Sequence, residues 1–567
     1  VSRLPAALLV LLAACAPGAS QRRIDNDALA TRVDSVFSHL RADGPGCAVG
    51  VYRDGKAVLT RSYGLANVEE NRPITPRTTF NLGSVAKAFT ALAILTLADE
   101  RRLSLDDDVR RYVPELPDYG TPIRIRDLLQ HSSGFRDYGT IVELTGRELR
   151  TMPELVSLLA SQRGLNFTPG SRHEYSHSDY MVLGVIIERV TGGPFGVYLE
   201  QSIFPSLNMK GARVTDGRAV PMPGRAFGHH SGARAHALID PVDVLVGGSN
   251  VFASIEDMGG WDSTLAAAGR GDERVARMLT LPTLATGDTV PYAWGIRRLT
   301  YRGLPTLERG GHDDGMRVEY IRFPEQGVAV VTMCNAEDLY AGVLARRVAA
   351  IYLGDAMQPL PPVPDTGAPV PLTVAELQRY VGMYRMPDSQ DIIRFTILDG
   401  KLAELLPSDT AQTFTYRGEG EFTGDGSPGD FRTRFRDGTN GMLLVEAISE
   451  GTVLAAAERM PEAEVWRPDA AALGAYEGIW VNADLGVAWQ LVTIDGGLVL
   501  RRPGNRDVPL IPVQPDLFMH GFGFWAEPVV ARFAFERNAA GRVTQFTLST
   551  PEGADVVRGL RFTRFAP

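Results

Sequence analysis

Apolar positions change period several times along the chain, and the changes divide it. Leu29, Val33, Val36, Phe37 and Leu40 share one face of a helix over 25–41. Strand-like runs at 46–52 and 57–63 flank Asp54-Gly55, the signature of a hairpin with a tight turn. Ser84 opens a run from 85 to 97 that is apolar on every face, which predicts a buried helix. A second helix is predicted over 179–191, closed by Gly192-Gly193. A late strand at 328–334 precedes a helix over 339–352. A strand pair, then helices, then late strands and a closing helix predict one α/β unit over 24–355.

The pattern then changes. Residues 356–371 form a linker with prolines at 359, 361, 362, 364, 369 and 371. Thr373 with Glu376 makes a capping box. Beyond it, Leu377, Tyr380, Gly382 and Tyr384 match Leu473, Tyr476, Gly478 and Trp480 at a constant offset. The same offset relates Asp399-Gly400 to Asp495-Gly496 and Phe422 to Phe518. Short alternating runs with Asp-Gly turns predict a small antiparallel β barrel in each repeat, over 372–466 and 467–567.

Composition narrows the class. At 567 residues the chain exceeds one hydrophobic core. A net charge of −9 disfavours nucleic acid as a partner. Only four of the 58 basic residues are lysines (Lys56, Lys87, Lys210 and Lys401), so a lysine kept among arginines needs a reason. The start reads as an export signal over 1–14, with Arg3 before an apolar stretch at 6–14. Its end, Leu12-Ala13-Ala14-Cys15, resembles a bacterial lipobox. It predicts lipidation of Cys15, a tether over 15–23, and a periplasmic protein anchored to the outer membrane. Ordinary cleavage and free secretion is the other reading. No later run is long and apolar enough to span a bilayer as a helix. Cys47 and Cys334 lie in strand-like runs and are expected as small buried thiols, with pairing open to them in an oxidising compartment.

The chemistry centres on Ser84-Val85-Ala86-Lys87. At this spacing both side chains lie on one helical face. A serine hydroxyl attacks only when a neighbour takes its proton, and a buried lysine can be neutral enough to do so. Arginine cannot. His173-Glu174-Tyr175-Ser176-His177 spells a zinc-protease string. Such a site needs both histidines on one helical face, and here Pro169-Gly170-Ser171 stands just upstream. We expect no metal and no cofactor.

Three stretches carry a wider pattern: Phe80-Asn81-Leu82-Gly83-Ser84-Val85-Ala86-Lys87, Leu128-Leu129-Gln130-His131-Ser132-Ser133-Gly134, and Tyr175-Ser176-His177 after Pro169-Gly170. Gly247-Gly248 and Arg309-Gly310-Gly311 follow in order. Together they resemble the serine β-lactamase and penicillin-binding-protein family, in its class C β-lactamase, D-aminopeptidase and esterase group. The resemblance implies a β-lactamase/transpeptidase-like catalytic domain, an antiparallel sheet with helices plus a helical lobe. It implies Ser84 as acylated nucleophile, Lys87 as proton relay and Tyr175 as general base. The backbone N–H groups of Ser84 and His312 would form the oxyanion hole, and His177, Arg309, Gly310 and Gly311 would bind substrate.

Two positions depart from the family pattern. His177 stands where asparagine is usual, and Arg309 where lysine or histidine is usual. Neutral His177 could accept from Lys87 or donate to a substrate carbonyl; protonated, it would repel Lys87. Arg309 could grip a substrate carboxylate, or could simply follow the arginine bias of the chain. The expected activity is hydrolysis of amides or esters through an acyl-enzyme, on a small-molecule or peptide substrate such as a D-amino-acid peptide of the cell wall. β-Lactamase or esterase activity, and a non-catalytic scaffold on a retained fold, are the alternatives.

Overall fold

The computed structural model describes residues 19–218, 222–230, 238–239, 245–268, 273–360, 369–387, 392–405, 411–425, 431–438, 441–449, 452–503, 505–523, 528–550 and 556–565. The export signal, Cys15 and residues 361–368 of the proline-rich linker lie outside the described residues.

The catalytic region is built on a seven-stranded antiparallel sheet. Its strands are β1 (Cys47–Arg53), β2 (Lys56–Tyr63), β3 (Tyr292–Ala293), β4 (Ile296–Tyr301), β5 (Leu304–Asp313), β6 (Met316–Phe323) and β7 (Val328–Cys334). They lie in the order β3-β4-β5-β6-β7-β1-β2. The β1–β2 turn places Asp54 and Gly55 both at positive φ, as the Asp-Gly pair predicts. Alternation along the strands then assigns the faces. Cys47, Val49, Val51, Ile321 and Val330 pack under two helices, α1 (Ala19–Val36) and α6 (Ala341–Leu353). Ala48, Tyr52, Tyr320, Val331 and Met333 join the core of the helical lobe on the other face.

That lobe contains α2 (Ala86–Asp99), α3 (Tyr138–Thr145), α4 (His177–Thr191) and α5 (Ile255–Ala267). Helix α2 is buried along nearly all its length, as its unbroken apolar sequence requires. Helix α4 starts two residues before the expected position and ends at Gly192 in the left-handed conformation.

The two sequence repeats form two closed eight-stranded barrels, with strands running from Gly382–Arg385 to Thr452–Arg459 and from Gly478–Asn482 to Leu560–Arg564. Repeat partners occupy equivalent places: Tyr384 and Trp480 are buried in the two cores, and Asp399 and Asp495 both turn at positive φ. The barrels differ in attachment. The first keeps a separate core around Tyr380, Tyr384 and Phe435, whereas the core of the second runs continuously into that of the catalytic region.

One expectation is corrected. Cys47 and Cys334 are not free thiols but a disulfide across β1 and β7. The pairing register sets them opposite each other although 287 residues separate them in sequence.

Candidate active site

Ser84 sits in a single 3-10 turn, Gly83–Val85, that leads into α2. Gly83 has φ +49°, and a methyl there would lie 2.5 Å from the carbonyl oxygen of His312. From the opposite side, a methyl at Gly311 would lie 1.9 Å from the oxygen of Leu82 and 3.3 Å from the nitrogen of Ser84. Two glycines therefore let β5 press its backbone against the nucleophile turn. Asn81 locks the junction: its side chain donates to Asp313 Oδ2 at 2.7 Å and accepts from the N–H of Gly83 at 3.1 Å. This brings the His312 peptide against the turn that carries Ser84. Gly310 is one step further along β5, opposite Glu319.

Ser84 Oγ lies 2.8 Å from the Tyr175 hydroxyl and accepts a hydrogen bond from Lys87 Nζ at 3.0 Å. Lys87 is fully buried and donates also to the carbonyl of Gly248 at 3.0 Å. Burial, with the Arg309 charge added, holds the Lys87 ammonium below its ordinary pKa and favours the neutral amine. Arg309 donates from Nη2 to the Tyr175 hydroxyl at 2.6 Å and from Nε to the carbonyl of Ser84 at 3.0 Å. It is buried, and its guanidinium also lies over the Tyr175 and Tyr292 rings.

Tyr175 is strongly affected by this arrangement. Burial opposes its phenolate, but Arg309, Lys87 and His177 outweigh burial and bring its pKa down to about 7. A base poised there is matched to neutral pH. Because the ionised form is the active one, kcat/KM is expected to rise with pH through about 7 and to be lost below it. Arg309→Gln removes the leading favourable charge, so the same limb is expected to move up by about one unit or more in a pH–rate profile.

The structure places Arg309 beside the Tyr175 hydroxyl. Its fork is engaged by Tyr175 and the backbone, and its charge serves the phenolate. His177 opens α4 with its Nδ1 3.3 Å from Asp137 Oδ2 and its peptide N–H 2.7 Å from the same oxygen. The zinc string does not form a metal-binding face. The helix begins only at His177, His173 Nδ1 bonds the carbonyl of Gln130 at 2.8 Å, and Glu174 pairs with Arg558 at 2.6 Å.

Several contributors were not identified from the sequence. Asp137 follows directly on the quoted 128–134 stretch but carries no motif of its own. His131, by contrast, belongs to the 128–134 stretch already singled out; it lies under Tyr175, bonded to Asp179 at 2.9 Å and to Tyr292 at 3.1 Å, so it anchors the floor of the site. The second barrel reaches the same segment. Arg558 grips Glu174, the carbonyl of Val556 accepts from the N–H of Asp137 at 3.1 Å, and Asn166 bonds both Glu174 and Val556. Arg136, next to Asp137, pairs with Asp484 of that barrel at 2.9 Å.

A serine flanked by a buried lysine and an ionisable tyrosine, beneath a glycine-rich strand edge, defines an acyl-transferring serine hydrolase. The chain belongs to the beta-lactamase family, whose model matches residues 33–353. It is 29% identical to the D-aminopeptidase of Gluconobacter oxydans over 366 residues, 63% of this chain and 68% of that one. It is 25% identical to the D-aminopeptidase of Brucella ovis over 541 residues, 92% of this chain and 96% of that one, a match that runs through both barrels. The octameric penicillin-binding protein homologue from Pyrococcus abyssi shares the fold, with a TM-score of 0.51 at 18% identity, over 95% of this chain and 99% of that one.

Proposed function

We propose that the protein cleaves amide bonds of D-amino-acid peptides through an acyl-Ser84 intermediate. The observation that carries this reading is the contact of Ser84 Oγ with both Tyr175 and Lys87. The Tyr175 phenolate takes the Ser84 proton as Oγ attacks the carbonyl carbon. Negative charge on the tetrahedral oxygen is met by the N–H groups of Ser84 and His312. Tyr175 then gives the proton to the leaving amine as the C–N bond breaks, with Lys87 bridging the transfer. Water, deprotonated by the same phenolate, attacks the ester, and Tyr175 returns that proton to Ser84 Oγ as the C–O bond breaks. The name borne by the Gluconobacter and Brucella relatives supports the peptide class.

On this reading the protein works outside the cytoplasm, exported by its first 14 residues and held to the membrane by lipid on Cys15. The Cys47–Cys334 disulfide fits such an oxidising compartment. The test is hydrolysis of D-alanine p-nitroanilide and its L-isomer by the full chain, with intact-mass analysis after a fluorophosphonate probe. D-selective hydrolysis and an adduct absent from Ser84→Ala are expected. Equal rates on both isomers would remove the D-peptide reading, and no adduct would remove the nucleophile.

A further inference from the structure

We propose that Asp137 is a positioning residue that holds His177 as a cationic hydrogen-bond donor, the pair replacing the neutral amide that asparagine would supply beside Tyr175. This rests on the reading of Ser84 as an acyl-transfer nucleophile and assigns, within that site, a donor for a substrate carbonyl outside the oxyanion hole.

The geometry around Asp137 is restrictive. The residue is fully buried at the start of α3. Its Oδ1 accepts from the N–H groups of Gly139 at 2.8 Å and Thr140 at 3.4 Å. Its Oδ2 accepts from the N–H of His177 at 2.7 Å and faces His177 Nδ1 at 3.3 Å. One carboxylate therefore fixes the first turns of α3 and α4 together. A carboxylate taking so many N–H donors stays ionised, and burial does not overcome the His177 charge and these bonds, which hold its pKa down. An ionised carboxylate only accepts, so the Nδ1 that faces it must carry a proton. The remaining nitrogen, Nε2, then has two states. It is an acceptor when the ring is neutral and a donor when the ring is charged.

The surroundings favour the charged ring. Asp137 faces it from α3, and Tyr175 meets it edge-on with ring centroids 5.2 Å apart. Tyr138 lies across it at 6.4 Å. Lys87 acts on it from α2, and His131 lies behind Tyr175. Of these, Asp137 and the Tyr175 phenolate are anionic, while burial disfavours charge on both Lys87 and His131. Burial opposes the His177 cation too, but the Tyr175 and Asp137 charges prevail and raise it to about 10. The His177 side chain keeps 16% of its surface open, unlike Asp137, which keeps none. A charged donor makes a bond roughly twice as strong as a neutral amide. It also favours the Tyr175 phenolate, so one residue serves both the base and a substrate carbonyl outside the oxyanion hole.

The experiment is histidine-labelled NMR of the full chain, with His177→Asn to assign the signal, alongside pH profiles of kcat/KM on D-alanine p-nitroanilide. His177 is expected to remain protonated at pH about 8 in the wild type and to titrate at least about one unit lower in Asp137→Asn. Wild-type kcat/KM is expected to fall above the His177 pKa, a limb that Asp137→Asn shifts toward acid and that His177→Asn abolishes. A His177 signal already neutral at pH about 7 would overturn the proposal even if Asp137→Asn fails to fold. So would an alkaline limb that survives His177→Asn. Loss of the D-peptide reading would appear instead as absent wild-type turnover with the NMR titration intact.

Discussion

Lys87→Arg is expected to lower kcat/KM by at least about 10³-fold, within the range that a positioned proton-transfer group supplies. Lysine at this site does something arginine cannot. Its amine is sealed in the lobe, donating to Ser84 Oγ and to the carbonyl of Gly248, and burial pushes it toward neutrality. A guanidinium stays charged under any condition the fold survives, so it cannot pass a proton. It would also bring a second fixed cation close to Arg309 in a space already full: a methyl on Gly248 would come within 3.4 Å of Lys87 Nζ. An uncompensated buried charge destabilises by roughly 3–5 kcal/mol, so lost folding must be separated from lost chemistry. Lys87→Met does this, since it keeps volume and apolarity and is expected to hold or raise the melting temperature while abolishing turnover. The measurements are thermal denaturation and the rate of adduct formation at Ser84. Acylation by Lys87→Met within about tenfold of wild type would show that lysine has no proton-handling part.

The same residue shows what a sequence can reveal. Four lysines in the chain made Lys87 conspicuous, and the tetrad spacing named its partner. Elements were equally legible where one local signal sufficed: the Asp54-Gly55 turn, the apolar run of α2, the Gly192 stop, and the barrels from their repeat. What stayed hidden depends on register and docking. For Cys47 and Cys334 the sequence left buried thiols and a disulfide both open, and only the pairing of β1 and β7 sets them opposite each other. Arg309 read either as a carboxylate clamp or as arginine bias, and its bond to the Tyr175 hydroxyl, made where strand β5 passes the site, had no local signal. Asp137 has no motif, since its importance comes from standing where two helices begin together. The reach of the second barrel to Glu174 joins residues 384 apart and leaves no local trace.

Gly311→Ala is expected to cost about 10²–10³-fold in kcat, the loss seen when one oxyanion donor is removed. The added methyl would meet the backbone oxygen of Leu82 at 1.9 Å, and a backbone atom between two packed elements cannot step aside as a side chain can. Either β5 withdraws from the nucleophile turn or the turn distorts. In both cases the N–H groups of Ser84 and His312 stop converging on one point, and a misplacement of about 1 Å is enough for a hundredfold effect. Gly310→Ala is the matched control, because its methyl would meet the far end of the Glu319 side chain at 3.1 Å and come no nearer to backbone than the Val318 oxygen at 3.9 Å. It is expected to stay within about tenfold of wild type, the smaller effect of a contact that can relax. Comparing kcat with KM distinguishes the mechanism: loss of an interaction made only in the transition state lowers kcat and leaves KM nearly unchanged. Equal losses in the two variants would mean that β5 tolerates displacement and that the oxyanion is held by some other pair of donors.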